Sequence, residues 1–188
     1  ACASELLGVA GQVDLRMGTF SKSLASCGGF VAGPADVIDF LRFSSRAFLF
    51  TASGVPAATG AALAALRIVR SEEGAELLAS VLDRARRWSQ GLRELGFAVV
   101  TPAGDQVTPI VPVLVGDDWK AALLWRALYD AGVFVNVALH PAVPPGGALL
   151  RTSVMATHDN ATLDRALAAF KTVKREFEIS HGPLPSAH

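Results

Sequence analysis

Three places in the chain hold residues whose types suit recognisable chemistry, and the first is Lys22 in the run Gly18-Thr19-Phe20-Ser21-Lys22-Ser23. A lysine attacks a carbonyl to form a Schiff base only as the neutral amine, so it needs a partly desolvated position beside groups that favour the uncharged form. Lys22 follows an apolar run and stands among the hydroxyls of Thr19, Ser21, Ser23 and Ser26. It precedes Gly28-Gly29, where the backbone can pass close to a bound ring. Those hydroxyls could donate to phosphate or phenolate oxygens. On spacing alone an exposed loop lysine competes with this reading, because lysine is seldom buried.

The second place is Phe50-Thr51-Ala52-Ser53 ahead of Pro56, which in isolation reads as a turn entering a helix. The third is Leu149-Leu150-Arg151-Thr152-Ser153-Val154, followed by Met155-Ala156-Thr157-His158. An arginine emerging from an apolar strand suits bidentate capture of a carboxylate, with a structural ion pair as the alternative. His158 is expected to cap the last helix region rather than touch a substrate, and His140 is ambiguous.

The elements that must position these residues follow from periodicity. Val13 to Phe20 and Gly28 to Ala32 read as buried strands flanking the Lys22 loop. A helix enters at Pro34 and runs to about Phe43, then Phe48-Leu49-Phe50 reads as extended. Pro56 to Val69, alanine-rich and apolar all round, reads as a helix buried between other elements. Ser71 caps a further helix that runs to about Leu95 and stops at Gly96, with Arg84, Arg86, Arg87 and Arg93 on a solvated face. Beyond it come strands near Phe97 to Thr101 and Ile110 to Val115, a helix from Trp119 to Ala131, and strands near Phe134 and Leu149 to Val154. A last helix spans about Asn160 to Phe177, with Leu163, Ala166, Leu167 and Phe170 inward, and His181 to His188 is a loose tail. The alternation is that of an α/β protein with a smaller α+β unit starting near Gly96.

Bulk properties exclude several classes. An apolar fraction of 51% with 18% charge in 188 residues requires a folded core and argues against disorder. Lysine plus arginine equals aspartate plus glutamate at 17 each, so no global field favours nucleic acid or an anionic membrane, and any phosphate must be held locally. Cys2 and Cys27 make neither a disulfide framework nor a metal cluster, and as inert thiols they suit a cytoplasmic protein. No charge occurs from Ala47 to Leu66, but Gly54 and Pro56 split that stretch, so no membrane span is expected.

Taken as longer strings, the three sites change meaning. Gly18 to Ser26 with Gly28-Gly29-Phe30-Val31-Ala32-Gly33, then Phe50-Thr51-Ala52-Ser53, then Leu149 to His158 preceded by Pro141-Ala142-Val143-Pro144-Pro145-Gly146, occur in one order. In that order they resemble the C-terminal half of the α-oxoamine synthases, pyridoxal 5'-phosphate enzymes of fold type I (aspartate aminotransferase-like). The resemblance reaches to about Glu178. It implies the end of a cofactor-binding large domain with an interdomain helix over 1–95, a small C-terminal α+β domain over 96–179 and a tail over 180–188.

By the same resemblance, Lys22 carries the cofactor, Thr19 and Ser21 lie beside it, and Arg151 holds the amino-acid carboxylate. Thr51, with Ser53 nearby, serves the cofactor phosphate of a neighbouring subunit in a homodimer. No metal is implied. The activity implied is decarboxylative condensation of an amino acid, serine or alanine first, with an acyl-CoA or acyl-carrier-protein thioester to an α-amino ketone. Another fold-type-I enzyme, such as an aminotransferase, or a non-catalytic partner subunit would keep some of these residues. Family members also carry an N-terminal portion with a ring-stacking histidine, a ring-nitrogen aspartate and a glycine-rich phosphate loop. Ala1 to Val13 contains none of them, so the chain is expected to be part of a longer polypeptide, the alternatives being that another chain supplies the missing half or that catalysis has been lost.

Overall fold

The glycines around Lys22 dictate the first structure in the chain. In the computed structural model, which describes residues 3–102 and 106–186, a short helix α1 (Ala3–Leu6) and a single 3-10 turn lead into β1 (Arg16–Thr19). This strand pairs antiparallel with β2 (Gly29–Ala32), Arg16 opposite Ala32 and Thr19 opposite Gly29. A methyl group on Gly29 would lie 2.6 Å from the Gly18 carbonyl oxygen, a contact that only glycine avoids. The strands stand where the sequence places them but are not buried: Met17 is 75% exposed and Phe30 49%. No third strand flanks the pair among the described residues, so neither edge is paired there.

Helix α2 (Ala35–Ser44) follows Pro34, and α3 (Arg46–Leu49) replaces the extended segment expected at Phe48 to Phe50. There the Phe48 and Leu49 amides both donate to the Ser45 carbonyl, closing one helical turn. Helix α4 (Pro56–Val69) has the expected bounds, with proline in its first turn. It is not buried all round. Ala62 is the one buried apolar side chain among the described residues up to Ala75, while Leu63, Leu66 and Ile68 are exposed.

Ser71 starts α5 (Glu72–Glu94) as expected, accepting from the Gly74 amide at 3.3 Å. A methyl group on Gly74 would meet the Ile68 carbonyl oxygen at 2.1 Å, so the tight passage from α4 to α5 needs glycine. The chain divides into two compact units at Ala75 and Glu76. Most of α5 therefore belongs to the second unit, whereas the texture of the sequence starts a smaller unit near Gly96. Its inner face explains why: Ala85, Trp88 and Leu92 lie in that unit's core.

The second unit is a sheet of β3 (Ile110–Gly116), β4 (Asn136–Ala138) and β5 (Ala148–Ser153) in the order β3-β5-β4, both pairings antiparallel. Helices α5, α6 (Asp118–Asp130) and α7 (Asn160–His181) complete it. Val111, Val113 and Val115 of β3 alternate with less buried neighbours, as do Ala148, Leu150 and Thr152 of β5. One face of the sheet is thus core and the other is open, as antiparallel sheets allow. Phe97 to Thr101 forms only an isolated bridge, Val99 to Val113, rather than a strand.

Phe170 of α7 packs edge-on against Trp88 and Phe97, at ring-centroid distances of 5.3 Å and 5.5 Å. Between them sits a polar knot. Trp88 Nε1–H donates to Thr152 Oγ1 at 2.8 Å, and the Thr152 hydroxyl donates to the Val111 carbonyl at 2.6 Å.

Helix α7 begins at Asp159, whose carboxylate accepts from the Thr162 amide at 2.7 Å, so the capping residue is Asp159 and not His158. The helix also runs past Phe177 to His181, which stacks on Phe177. The following segment is not loose: Leu184 is buried and its amide donates to Glu178 Oε1 at 3.2 Å. Of the four arginines assigned to the solvated face of α5, Arg84 is half-buried and donates to the Ala156 carbonyl at 2.6 Å. Cys27 is exposed, and Cys2 and the last two residues of the tail lie outside the described residues. Among the described residues no helix is long and apolar enough to cross a membrane.

Two outcomes follow from this packing. Thr152→Val keeps the β-branched shape but strands the buried Trp88 indole N–H, so unfolding of the second unit should lose about 1–3 kcal/mol. Trp88, Trp119 and Trp125 all lie in that unit, so urea unfolding followed by tryptophan fluorescence measures it directly; an unchanged midpoint would show that the knot contributes nothing. The second outcome concerns acid. Thr162's hydroxyl and amide hold the Asp159 carboxyl below its ordinary value, and Lys174 does the same for Glu178. Groups depressed in the folded state stabilise fully above the unfolded carboxylate range of about pH 4 and lose that contribution as pH falls through the folded values. The urea midpoint should therefore fall on acidification, and it should fall less steeply in Asp159→Asn/Glu178→Gln.

Candidate active site

Lys22 stands in the loop that closes the β1–β2 hairpin. That loop is fixed from within by the Phe20 amide donating to Gly28, the Ser26 amide to Phe20 and the Ala25 amide to the Lys22 carbonyl, each at 2.9 Å. Ala25 takes φ 48°, a left-handed conformation that costs an L-residue with a Cβ roughly 1 kcal/mol and persists where surrounding bonds enforce it. Ser26 Oγ donates to the Ala58 carbonyl of α4 at 2.5 Å, tying the loop to that helix.

The Lys22 side chain is exposed, so the desolvated setting expected for a Schiff-base lysine is not supplied by these residues. Its ammonium makes no ion pair or hydrogen bond among the described residues. Thr19 and Ser21 are exposed beside it on the same hairpin. Thr51 and Ser53 lie between α3 and α4, where Thr51 Oγ1–H donates to Ser53 Oγ at 2.9 Å and accepts from the Ser53 amide. The pair forms a small polar turn with both hydroxyls open to solvent.

Arg151 belongs to the second unit, at the centre of β5. Strand alternation turns Leu150 and Thr152 into the core and Arg151 and Ser153 out of it. It lines a cleft of about 610 Å3 between the open ends of β4 and β5 and the first turns of α7. No acidic side chain pairs with Arg151 among the described residues, so the structural ion pair that competes with a carboxylate-binding role finds no partner.

The strand position of Arg151 is held from both sides. Thr152, the next residue, is locked into the core by Trp88 and Val111, and Arg84 holds the Ala156 carbonyl just beyond the strand. His158 also borders the cleft, its Nδ1 accepting from the Met155 amide at 3.3 Å. His140 contributes its amide to Asp118 at 3.3 Å and lies elsewhere in the same unit. Reading by motif misses Trp88, Asn136, Thr162 and Arg165, which also line the cleft. Strand register would have found Asn136, because it pairs directly with Arg151.

These geometries can be set beside known proteins. A model of the aminotransferase class I and II family matches residues 1–170. Serine palmitoyltransferase from Bacteriovorax stolpii is 42% identical over 167 residues, covering 89% of this chain and 38% of that relative. The 8-amino-7-oxononanoate synthase from Symbiobacterium thermophilum is 41% identical over 172 residues, covering 92% of this chain and 42% of that relative. A structure of SPT with PLP as internal aldimine matches with a TM-score of 0.85 at 35% identity, over 94% of this chain and 43% of the other. The chain thus spans about four-tenths of the length of the curated relatives it matches. Both relatives are α-oxoamine synthases, as the three motifs imply. The chain belongs to the aminotransferase class I and II family, and its fold is that of the fold-type-I pyridoxal phosphate-dependent transferases.

Proposed function

We propose that the polypeptide bearing this chain joins an amino acid to an acyl thioester with loss of carbon dioxide, giving an α-amino ketone, and that pyridoxal phosphate is its cofactor. The observation that carries this reading is the Lys22 hairpin. It presents an unpaired amine beside free hydroxyls, in a chain 35% identical to a protein solved with PLP as internal aldimine. Bound pyridoxal phosphate supplies an electron sink for negative charge at the substrate α-carbon.

The chain's own residues suit the remaining tasks. Lys22 Nζ is the group that would hold the cofactor, through a covalent bond to its aldehyde, and as a free neutral amine it would take the proton from the substrate α-carbon. Thr19 and Ser21 offer hydroxyls next to that bond, and Thr51 and Ser53 offer theirs to phosphate oxygens of a partner subunit in a homodimer. Arg151 binds the amino-acid carboxylate through its two parallel N–H donors. The α-carbon then forms a bond to the acyl carbon as the thiolate leaves. Carbon dioxide departs, and Lys22 returns its proton to the α-carbon.

Serine or alanine, with an acyl-CoA or an acyl-carrier-protein thioester, are the substrates that agree with relatives named serine palmitoyltransferase and 8-amino-7-oxononanoate synthase. The exposed apolar surface of residues 1–75 supports a second proposal, that an N-terminal half of the same fold covers it and desolvates Lys22. An exposed free thiol at Cys27 suits a cytoplasmic setting.

Borohydride treatment of the full-length protein should fix the cofactor on Lys22 and leave no fixed cofactor in Lys22→Ala; label on another lysine would refute the assignment. Arg151→Lys should raise KM for the amino acid and lower kcat, because a single ammonium holds a carboxylate less squarely. Arg151→Ala should lose about 2–5 kcal/mol of substrate affinity while still retaining cofactor. The 188-residue chain alone, given cofactor, amino acid and thioester, should show no turnover. Release of a keto acid without thioester consumption by the full-length protein would replace the proposed reaction with transamination.

A further inference from the structure

We infer that Asn136 is a second carboxylate-binding residue of the cleft, acting beside Arg151; the inference rests on the reading of Arg151 as the carboxylate ligand. Asn136 on the edge strand β4 pairs directly with Arg151 on β5. Residues directly opposite in an antiparallel pair share one face of the sheet, with Cβ atoms roughly 4.5–5.5 Å apart. Since the neighbours Leu150 and Thr152 point into the core, the shared face of Asn136 and Arg151 is the open one. Both residues are exposed and both line the same cleft.

The choice of asparagine is not explained by the strand. Asparagine is disfavoured in strands, and here it neither packs in the core nor hydrogen-bonds through its side chain to any described residue. What the position offers is complementary chemistry. A carboxylate has about four lone-pair sites, and the parallel N–H groups of one guanidinium fill two of them. The Asn136 amide N–H reaches a third from across the strand pair, while its carbonyl oxygen is free to accept from Arg151 and hold the guanidinium flat. Phe134 and Met155 line the same cleft beside the pair. A guanidinium beside a carboxamide selects a carboxylate over a neutral amide or alcohol at this point, and so selects an amino acid over the corresponding amine.

The test uses the full-length protein loaded with pyridoxal phosphate, with L-serine and ethanolamine as probes and binding read by calorimetry. Asn136→Ala should weaken L-serine about tenfold, as expected for a hydrogen bond to a charged group, and leave ethanolamine essentially unchanged. Asn136→Asp should weaken L-serine further through like charge. Should Asn136→Ala fold poorly, Asn136→Val, which favours the strand and has no donor, should show the same selective loss of L-serine. If Asn136→Ala and Asn136→Val bind L-serine like the parent while Arg151→Ala loses it, the inference fails and the reading of Arg151 stands. If Arg151→Ala also binds normally, that reading fails with it. Equal weakening of L-serine and ethanolamine in Asn136→Ala would overturn the inference in favour of a general structural role.

Discussion

The second unit depends on one constraint: β5 must be buried on one face and open on the other. Leu150 and Thr152 are core, Arg151 and Ser153 are not, and the period of two in a strand permits no compromise. A slip of one residue would bury the guanidinium and expose Leu150. Hydrophobic residues alone set this alternation softly, because Leu149 and Leu150 are adjacent and either could face inward. The Trp88–Thr152–Val111 hydrogen bonds remove the ambiguity, since only the observed register satisfies a buried indole N–H and a buried hydroxyl together. The position of Arg151 is therefore a consequence of what its neighbour does in the core.

The helices that frame the cleft obey the same logic of satisfied polar groups. Asp117 accepts from the Lys120 amide to start α6, and Asp159 accepts from the Thr162 amide to start α7. Arg84 crosses from α5 to the Ala156 carbonyl, in the connection between β5 and α7. The exposed pair Arg87–Asp164 at 2.5 Å also joins α5 to α7, but solvent screens it and its contribution is small. The half-buried Arg84–Ala156 bond and the buried Trp88–Thr152 bond therefore fix the cleft wall more firmly than this exposed ion pair does.

Much of this was legible in the sequence where a single residue type has a single local use. Pro56 marks the start of α4, Ser71 caps α5, Gly96 with φ +79° ends it, and Lys22 does sit in a loop between two short strands. Legibility failed where burial depends on distant partners. Arg84 looks like its exposed neighbours in sequence, and only the folded position of Ala156 makes it half-buried. His158 is expected at the start of α7, yet the cap is its neighbour Asp159, a preferred N-cap type whose carboxylate reaches the Thr162 amide. Phe48 to Phe50 reads as extended because aromatic residues favour strands, yet no strand among the described residues pairs with it, and a helical turn satisfies its amides instead.

The largest discrepancy carries the most information. Apolar pattern in residues 13–69 predicts buried strands and an enclosed helix, whereas Met17, Phe43, Phe50 and Leu63 are exposed and Ala62 alone is buried. A hydrophobic pattern encodes all the surfaces an element can cover, whether or not the contacting surface belongs to the same chain. The second unit shows no such deficit, because its sheet and helices bury Phe97, Phe170, Leu92 and Leu150 against one another. Two units written in equally apolar sequence thus differ in how much of that apolar surface the described residues cover. In the first unit the same exposure leaves the Lys22 side chain in water. On the proposed reading, in which Lys22 must lose its proton to react, covering that apolar surface and desolvating that lysine would be one event.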